Sequence, residues 1–189
     1  MHADNWANKA KQEGYRTRAV YKLEEILQKT KSLKRTQNVL DLGSAPGGWA
    51  HYIKKKSPNS VVYAIDILDM EAVDGVYFFQ NSIEEIDNID SISSKMGSFG
   101  LVISDIAPNL TGINAIDIEN IYELNLLTLD TAIKYLNNSH GSFIMKTFQN
   151  SMLKNLRKKM ELSFKIVQTF KPAASKKQSG EIFLYGAYK

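Results

Sequence analysis

The stretch of sequence that decides the fold of this chain is Asp41-Leu42-Gly43-Ser44-Ala45-Pro46-Gly47-Gly48-Trp49. It follows an apolar run of strand length at residues 38–42 and precedes a helical pattern at residues 49–56. Glycines at such a turn let the backbone approach a ligand, and the first N–H groups of the helix are free to bind it. The stretch predicts a ligand-binding loop in a nucleotide-binding α/β fold.

The loop departs from the dinucleotide-binding pattern Gly-x-Gly-x-x-Gly. Ala45 stands where the second glycine of that pattern belongs, and Pro46 follows it. Proline lacks the N–H group that a pyrophosphate would bind. A hydride-transfer dehydrogenase is therefore a minor alternative.

The rest of the chain alternates between strand-length and helical patterns. Apolar runs at 38–42, 61–65, 76–79, 101–104 and 142–147 are separated by helical patterns or connections around 49–56, 83–92 and 118–136. This order predicts a mainly parallel sheet with helices on both faces. A basic helix at 151–160 precedes strand-like runs at 164–170 and 182–188, which we expect to pair as an antiparallel hairpin. We expect a single domain over residues 1–189.

One strand beyond the loop, Asp66 follows the apolar run 61–65. At this place in a doubly wound sheet an acidic side chain can accept hydrogen bonds from the ribose hydroxyls of a nucleoside. An ordinary strand-end or capping role is the alternative for Asp66.

The composition excludes several classes of function. The chain has no cysteine and three histidines, so thiolate chemistry, disulfides and cysteine-ligated metals are excluded, and we expect no metal site. No apolar run approaches the roughly 20 residues of a membrane helix, and the polar start does not resemble a secretory signal. We expect an intracellular protein that does not engage a membrane.

Charge is distributed unevenly along the chain. Residues 1–35 carry a net charge of +5, residues 36–145 of −9 and residues 146–189 of +8. Two basic ends predict an electropositive face for a phosphate-rich partner. A merely solvated lysine surface is the alternative interpretation.

Five segments together resemble the FtsJ/RrmJ ribose 2′-O-methyltransferases, which use S-adenosylmethionine. They are residues 15–23, 41–49, 104–109, 145–149 and 179–183, and they occur in the order of that family over nearly the whole chain. The resemblance implies an FtsJ-like domain with a Rossmann-like α/β methyltransferase fold and a seven-stranded sheet.

The resemblance also assigns candidate site residues. The catalytic set of the family corresponds to Lys22, Asp105, Lys146 and Glu181. Its S-adenosylmethionine site corresponds to Gly43, Ser44, Ala45, Pro46, Gly47, Gly48, Trp49, Asp66, Ile67, Ser82 and Asp105. One position departs from the family, because Ser82 stands where an acidic residue usually contacts the adenine. A serine hydroxyl can still form a hydrogen bond there.

Two roles are open for Lys146. Methyl transfer needs the acceptor hydroxyl aligned with the methyl group and relieved of its proton. A lysine is normally protonated at neutral pH, a neighbouring sulfonium favours its neutral form, and Asp105 favours the ammonium. Lys146 therefore acts either as a general base or as a cation that steers the hydroxyl.

Basic residues at both ends of the chain are candidate RNA contacts. Tyr15, Arg16 and Arg18 lie in an N-terminal segment, residues 1–35, which we expect to form a basic helical RNA-binding extension. The predicted basic helix adds Lys154, Arg157 and Lys158.

The resemblance points most directly to methylation of a uridine in large-subunit ribosomal RNA. Ribosomal RNA or the large subunit would be the partner of a monomeric, cytoplasmic enzyme, with a mitochondrial or nucleolar location possible in a eukaryote. Ribose methylation of transfer RNA or of a messenger-RNA cap is the enzymatic alternative. From another class, an RNA-binding module without turnover would not need all four catalytic residues.

Overall fold

A computed structural model describes residues 3–34, 36–176 and 178–188. Its centre is a seven-stranded sheet with the strand order β3-β2-β1-β4-β5-β7-β6. The strands are β1 (Asn38–Leu42), β2 (Val61–Asp66), β3 (Val76–Gln80), β4 (Leu101–Ser104), β5 (Ser142–Phe148), β6 (Ile166–Phe170) and β7 (Glu181–Ala187). The helices are α1 (Ala3–Gln12), α2 (Val20–Thr30), α3 (Gly48–Lys56), α4 (Asp90–Ser93), α5 (Asn114–Tyr135) and α6 (Leu153–Ser163).

Strand direction follows the predicted pattern. Strands β1 to β5 pair in parallel, whereas β7 is antiparallel to β5 on one side and to β6 on the other. The predicted α/β fold with a C-terminal antiparallel hairpin is confirmed. Because β7 runs antiparallel to β5, its first residue, Glu181, lies beside Phe148 at the end of β5.

Helices cover both faces of the sheet, and the period of two along each strand explains the two cores. In β1, Val39 packs into a cluster that includes Leu23 and Ile26 of α2 and Trp49 of α3. Leu40 points to the other face, where the second cluster contains side chains of α5 and α6. No helix within the described ranges has both the length and the apolar character needed to cross a membrane.

The N-terminal segment is built into the first of these cores. Leu23 and Ile26 of α2 are completely buried against the sheet. Helix α1, which the sequence analysis did not identify, contributes the buried Ala10 to the same cluster. Helix α2 is therefore a part of the core, and the RNA-binding role of the segment 1–35 stays a prediction.

The helical pattern at 83–92 forms two short elements. Residues Ile83–Asn88 form a 3-10 helix. Ser82 is its N-cap, and the Ser82 hydroxyl accepts a hydrogen bond from the Glu84 N–H. Ile89 then has an extended conformation, and α4 begins at Asp90. This break divides the helical pattern. Ser82 itself lies two residues after the end of β3, where β2 also ends.

Candidate active site

The carboxyl ends of the parallel strands gather most of the predicted site residues at one edge of the sheet. Leu42 is in register with Ser104, and Ser104 is in register with Met145. Asp105 and Lys146 each follow one of these paired residues, so they occupy neighbouring positions. In open α/β sheets this edge is the ordinary place for a ligand.

The loop after β1 turns sharply at two glycines. Gly43 has a φ of +73°, and a Cβ there would lie 2.8 Å from the Cβ of Ile106. Gly47 has a φ of +90° and immediately precedes α3, and a Cβ there would lie 2.7 Å from the Arg16 guanidinium. Side chains at these positions would be strained and obstructed, which explains why glycine is required.

Asp66 holds the loop as well as facing the site. One carboxylate oxygen accepts a hydrogen bond of 2.8 Å from the Ala45 N–H, and the other accepts one of 2.9 Å from the Leu68 N–H. Each carboxylate oxygen has a further lone pair for a ligand. The sequence pattern identified Asp66 as a ribose ligand but gave no sign of its contact with the loop.

Arg16 clamps the same loop from the other side. Its guanidinium donates hydrogen bonds to the carbonyl groups of Pro46 (2.8 Å), Glu71 (2.7 Å) and Ala72 (2.7 Å). These bonds tie the loop after β1 to the segment between β2 and β3. A role of Arg16 in RNA binding stays a prediction, and three of the five N–H donors of its guanidinium bond to carbonyl groups within the protein.

A cavity of about 490 Å³ opens between the ends of β1, β2, β3 and β4. Its lining includes the predicted cofactor residues Gly43, Ala45, Asp66, Ile67, Ser82 and Asp105. The volume lies within the usual range for small-molecule sites. The carboxylate of Glu84 also lines the cavity, 3.4 Å from the Ser82 hydroxyl, and so places an acid beside the position where the sequence lacks one.

A second, smaller cavity of about 40 Å³ lies against the loop after β1. It shares Gly43, Ala45 and Asp105 with the large cavity. Four other predicted cofactor residues line only the smaller one: Ser44, Pro46, Gly48 and Trp49. The predicted cofactor set is thus divided between two neighbouring cavities that share lining residues. Gly47 is in neither lining and acts through the conformation of the loop.

The four candidate catalytic residues form two ion pairs. The Lys146 ammonium lies 3.0 Å from Oδ1 of Asp105 and also donates a hydrogen bond to the Asp105 carbonyl oxygen. The Lys22 ammonium lies 2.8 Å from Oε2 of Glu181. The charge of Lys146 also acts on Glu181, since antiparallel pairing sets β7 beside β5. The structure therefore brings Lys22, Asp105, Lys146 and Glu181 together.

Ser175 is a member of this group that the sequence did not reveal. Its hydroxyl donates a 2.7 Å hydrogen bond to Oε1 of Glu181, the oxygen that Lys22 leaves free. Burial alone would raise the pKa of Glu181, but the hydrogen bonds from Lys22 and Ser175 and the charges of Lys22 and Lys146 hold that pKa below its usual value. Glu181 is therefore ionised at neutral pH.

The predicted RNA contacts have different surroundings. Tyr15 is 9% exposed and packs against Tyr21, His51 and Tyr52, so little of its ring is accessible, and its role in RNA binding stays a prediction. Nη1 of Arg18, by contrast, is buried without a hydrogen-bond partner among the described residues.

The basic face of α6 lies apart from the loop. Lys154 and Lys158 are exposed, while Arg157 bonds to the Thr169 hydroxyl and lies 3.4 Å from the Glu161 carboxylate. The ammonium groups of Lys154 and Lys158 are therefore accessible to a phosphate backbone, whereas the Glu161 carboxylate partly neutralises the charge of Arg157. Over the described ranges, no group of three or more histidine and acidic side chains is placed to hold a metal ion.

Comparison with known proteins identifies the family. The model of the FtsJ-like methyltransferases matches residues 15–189. The ribosomal RNA large subunit methyltransferase E of Dechloromonas aromatica is 37% identical over 186 residues, which cover 97% of this chain and 90% of that protein. A protein of the same name from a Psychrobacter species is 39% identical, over 95% of this chain and 87% of that protein.

Solved structures agree with this result. The crystal structure of a ribosomal RNA methyltransferase from Plasmodium falciparum superposes with a TM-score of 0.77 at 29% identity, over 92% of this chain and 97% of that one. Human methyltransferase-like protein 13, crystallised with SAH, shares the fold with a TM-score of 0.57 at 14% identity, over 83% of this chain and 74% of that one.

The clamp formed by Arg16 predicts a local effect on the loop. In an Arg16→Met variant the three carbonyl groups lose their donor, so hydrogen exchange at residues 43–49 and 70–73 should become faster. The free energy of unfolding should fall by about 1–2 kcal/mol. Arg157→Met, which removes an arginine contact elsewhere, serves as the matched control. Unchanged exchange in the Arg16 variant would contradict the clamp.

The Lys22–Glu181 pair predicts a pH-dependent contribution to stability. Because the folded-state pKa of Glu181 is depressed, its stabilisation is present above the ordinary value of 4.5 and is lost as the pH falls through the folded value. Lys22→Met should therefore lower the free energy of unfolding by about 3 kcal/mol near pH 7, and the difference from wild type should shrink below pH 4.5.

Chemical denaturation across this pH range measures the difference. In a Glu181→Gln background the same lysine substitution should show no such pH dependence, because residue 181 no longer titrates. A difference between wild type and Lys22→Met that stayed constant from pH 7 to pH 3 would contradict the pair.

Proposed function

The chain belongs to the FtsJ-like methyltransferase family, and on this premise we propose that it methylates a ribose 2′-hydroxyl of large-subunit ribosomal RNA with S-adenosylmethionine. The observation that carries the proposal is the assembly of Lys22, Asp105, Lys146 and Glu181 around Asp105, which lines both cavities. The name of the relatives indicates large-subunit ribosomal RNA as the substrate. The two ion pairs form the proposed site for the ribose hydroxyl.

The cavities fit S-adenosylmethionine in size and in chemistry. In the large cavity, Asp66 is placed to accept hydrogen bonds from ribose hydroxyls, and Ser82 and Glu84 offer acceptors to a base. The smaller cavity, lined by Asp41 and Ser44, is placed to take the amino-acid end. When bound, this cofactor supplies the methyl group and a sulfonium leaving group.

Lys146 and Asp105 would act on the acceptor hydroxyl. Asp105 offers Lys146 two acceptors, its carboxylate and its own carbonyl, which fixes the direction of the lysine side chain. The remaining hydrogen-bonding capacity of the Lys146 nitrogen is then available to the acceptor oxygen. Lys146 would hold the acceptor oxygen in line with the methyl group that the cofactor would supply, and the hydroxyl proton would pass to Lys146 as a neutral amine or, beside an ammonium, to solvent.

Lys146 would act either as a neutral amine or as an ammonium, and the two roles predict different effects of an arginine substitution on the rate. As a neutral amine Lys146 takes the hydroxyl proton, a role that arginine cannot perform, because its guanidinium does not lose a proton in proteins. As an ammonium Lys146 holds the oxygen by charge, a role that arginine partly preserves. The relative rates of Lys146→Arg and Lys146→Ala distinguish the two.

Lys22 and Glu181 would hold the acceptor nucleotide. Their side chains are 11% and 14% exposed, so each leaves little surface to solvent and needs its partner's charge. The pair lies beside the Lys146–Asp105 pair at the edge of the sheet. We assign the pair to binding and orienting the ribose that is methylated.

The acceptor RNA would approach over the electropositive ends of the chain. Arg18 is half-buried, and Lys154 and Lys158 expose their charges on α6. These groups would neutralise backbone phosphates.

We further propose that the acceptor is a uridine and that the enzyme is a monomer. We also propose that it acts in the cytoplasm, as its bacterial ribosomal RNA methyltransferase relatives suggest.

Methyl transfer provides the direct test of reaction and acceptor. The wild-type protein should transfer labelled methyl from S-adenosylmethionine to large-subunit ribosomal RNA that lacks the modification, and nucleoside analysis should give 2′-O-methyluridine. Lys146→Ala should lower the rate at saturating RNA by at least about 100-fold. Transfer only to transfer RNA or to capped RNA would refute the ribosomal assignment, and a methylated base would refute the ribose assignment.

The salt dependence of binding tests the phosphate contacts. Arg18→Ala should weaken RNA binding and reduce the slope of log affinity against log salt by about 1, and the double variant Lys154→Ala/Lys158→Ala should reduce it by about 2. Affinity for S-adenosylhomocysteine should not change. Lys29→Ala, which removes a lysine already 2.6 Å from the Glu25 carboxylate, is the control. Slopes equal to that of the wild type would remove these residues from the interface.

A further inference from the structure

A buried hydrogen bond joins Asn125 of α5 to Thr147 of β5, and neither residue belongs to the site described above. Asn125 is 4% exposed and Thr147 is 1% exposed. The side-chain amide of Asn125 donates a hydrogen bond of 2.7 Å to the Thr147 hydroxyl. Among the side chains that the structure describes, this is the only hydrogen bond between α5 and β5.

Local preferences do not explain the asparagine. Asparagine is a poor helix former, and Asn125 stands in the middle of α5 between Leu124 and Leu126. Thr147 alternates along β5 with Lys146, so its side chain points to the opposite face of the sheet, between α5 and α6. Two apolar side chains would fill this space without the cost of removing polar groups from water. The polar pair therefore requires an explanation beyond packing.

Water cannot substitute for this hydrogen bond. Asn125 and Thr147 line a narrow space with Leu153 and Leu156 of α6, and that space has no room for a water molecule. Loss of either polar group would therefore leave the other without its partner in the core. A hydrogen bond is directional, whereas apolar contact is not. The bond therefore fixes α5 against β5 more closely than packing alone would.

The pair lies between the two halves of the proposed site. Lys146 directly precedes Thr147 in β5. On α5, Leu124 and Leu127 lie on either side of Asn125 in the sequence, and both line the cavity of about 490 Å³ proposed for the cofactor. The bond thus joins the helix that forms one wall of that cavity to the strand that carries the lysine.

We propose that Asn125 and Thr147 are positioning residues, which set the distance and the angle between the methyl donor and Lys146. This inference rests on the proposed function, since it concerns the same transfer. A misplacement of about 1 Å, even one caused far from the reacting atoms, can lower a rate about 100-fold. The bond should therefore affect the rate of transfer and leave the affinity for the cofactor unchanged, because neither side chain is part of the lining of its cavity.

Two substitutions of Thr147 provide the test. Thr147→Val keeps the shape and loses the hydroxyl, whereas Thr147→Ser keeps the hydroxyl and loses a methyl group. Single-turnover transfer at saturating S-adenosylmethionine and RNA should be about 10- to 100-fold slower in Thr147→Val and close to the wild-type rate in Thr147→Ser. Calorimetry should show unchanged affinity for S-adenosylhomocysteine in both. Thr131→Val, which removes a hydroxyl bonded to the Leu127 carbonyl within α5 itself, is the matched control.

A double variant separates positioning from stability. Asn125→Leu and Thr147→Val each leave a buried polar group unpaired, so each should lower the melting temperature. The double variant Asn125→Leu/Thr147→Val removes both polar groups, and its melting temperature should recover toward that of the wild type. Its rate of methyl transfer should stay low, because apolar packing does not restore the direction that the bond defines. A merely structural role would restore the rate together with the stability.

The outcomes also separate this inference from the proposed function. A wild-type rate in Thr147→Val, a slow Thr147→Ser, or a double variant that regains the wild-type rate would overturn the inference. Weaker binding of S-adenosylhomocysteine by Thr147→Val would place the effect in the cofactor cavity and would overturn it as well. Failure of the wild type to bind S-adenosylhomocysteine or to transfer methyl would instead overturn the proposed function. Where a single variant does not fold, the double variant and Thr147→Ser allow the same comparison.

Discussion

The ion pair between Lys146 and Asp105 is the interaction on which the site depends. The pair joins the ends of β4 and β5. Because both side chains are largely removed from water, each charge would be unfavourable there without the opposite charge of its partner. Strand β7 adds Glu181 to the same place because it enters antiparallel to β5, and α2 adds Lys22 because its apolar face packs on the sheet. The site is therefore complete only when the sheet and the N-terminal helix have both assembled.

The second constraint is the shape of the loop after β1. Gly43 and Gly47 adopt conformations that other residues avoid, and Asp66 and Arg16 hold the loop from opposite sides through backbone groups. One set of contacts thus shapes two neighbouring cavities, the larger suited to a nucleoside and the smaller to its charged tail. The methyl group would be presented where these spaces meet, at Asp105.

Much of this was predictable from sequence, for identifiable reasons. Strand-length apolar runs alternate with helical patterns along the chain, and this order predicts the parallel sheet. The topology of such a sheet then brings together residues at strand ends, such as Asp66 and Asp105. The contacts of Arg16 with distant carbonyl groups, the burial of Tyr15 and the bond from Ser175 to Glu181 depend on tertiary packing. No local pattern encodes such contacts. Periodicity also could not reveal the break at Ile89, since both halves of that segment keep a helical pattern.

The most direct test of the account is a double-substitution cycle on single-turnover methyl transfer, at saturating S-adenosylmethionine and RNA. Lys22→Met and Glu181→Gln are measured separately and together. If the pair acts as one unit on the acceptor ribose, each substitution lowers the rate by about 100-fold or more, and the double variant is no slower than the slower single variant. Near-wild-type rates in the single variants, or effects that multiply in the double variant, would contradict the account.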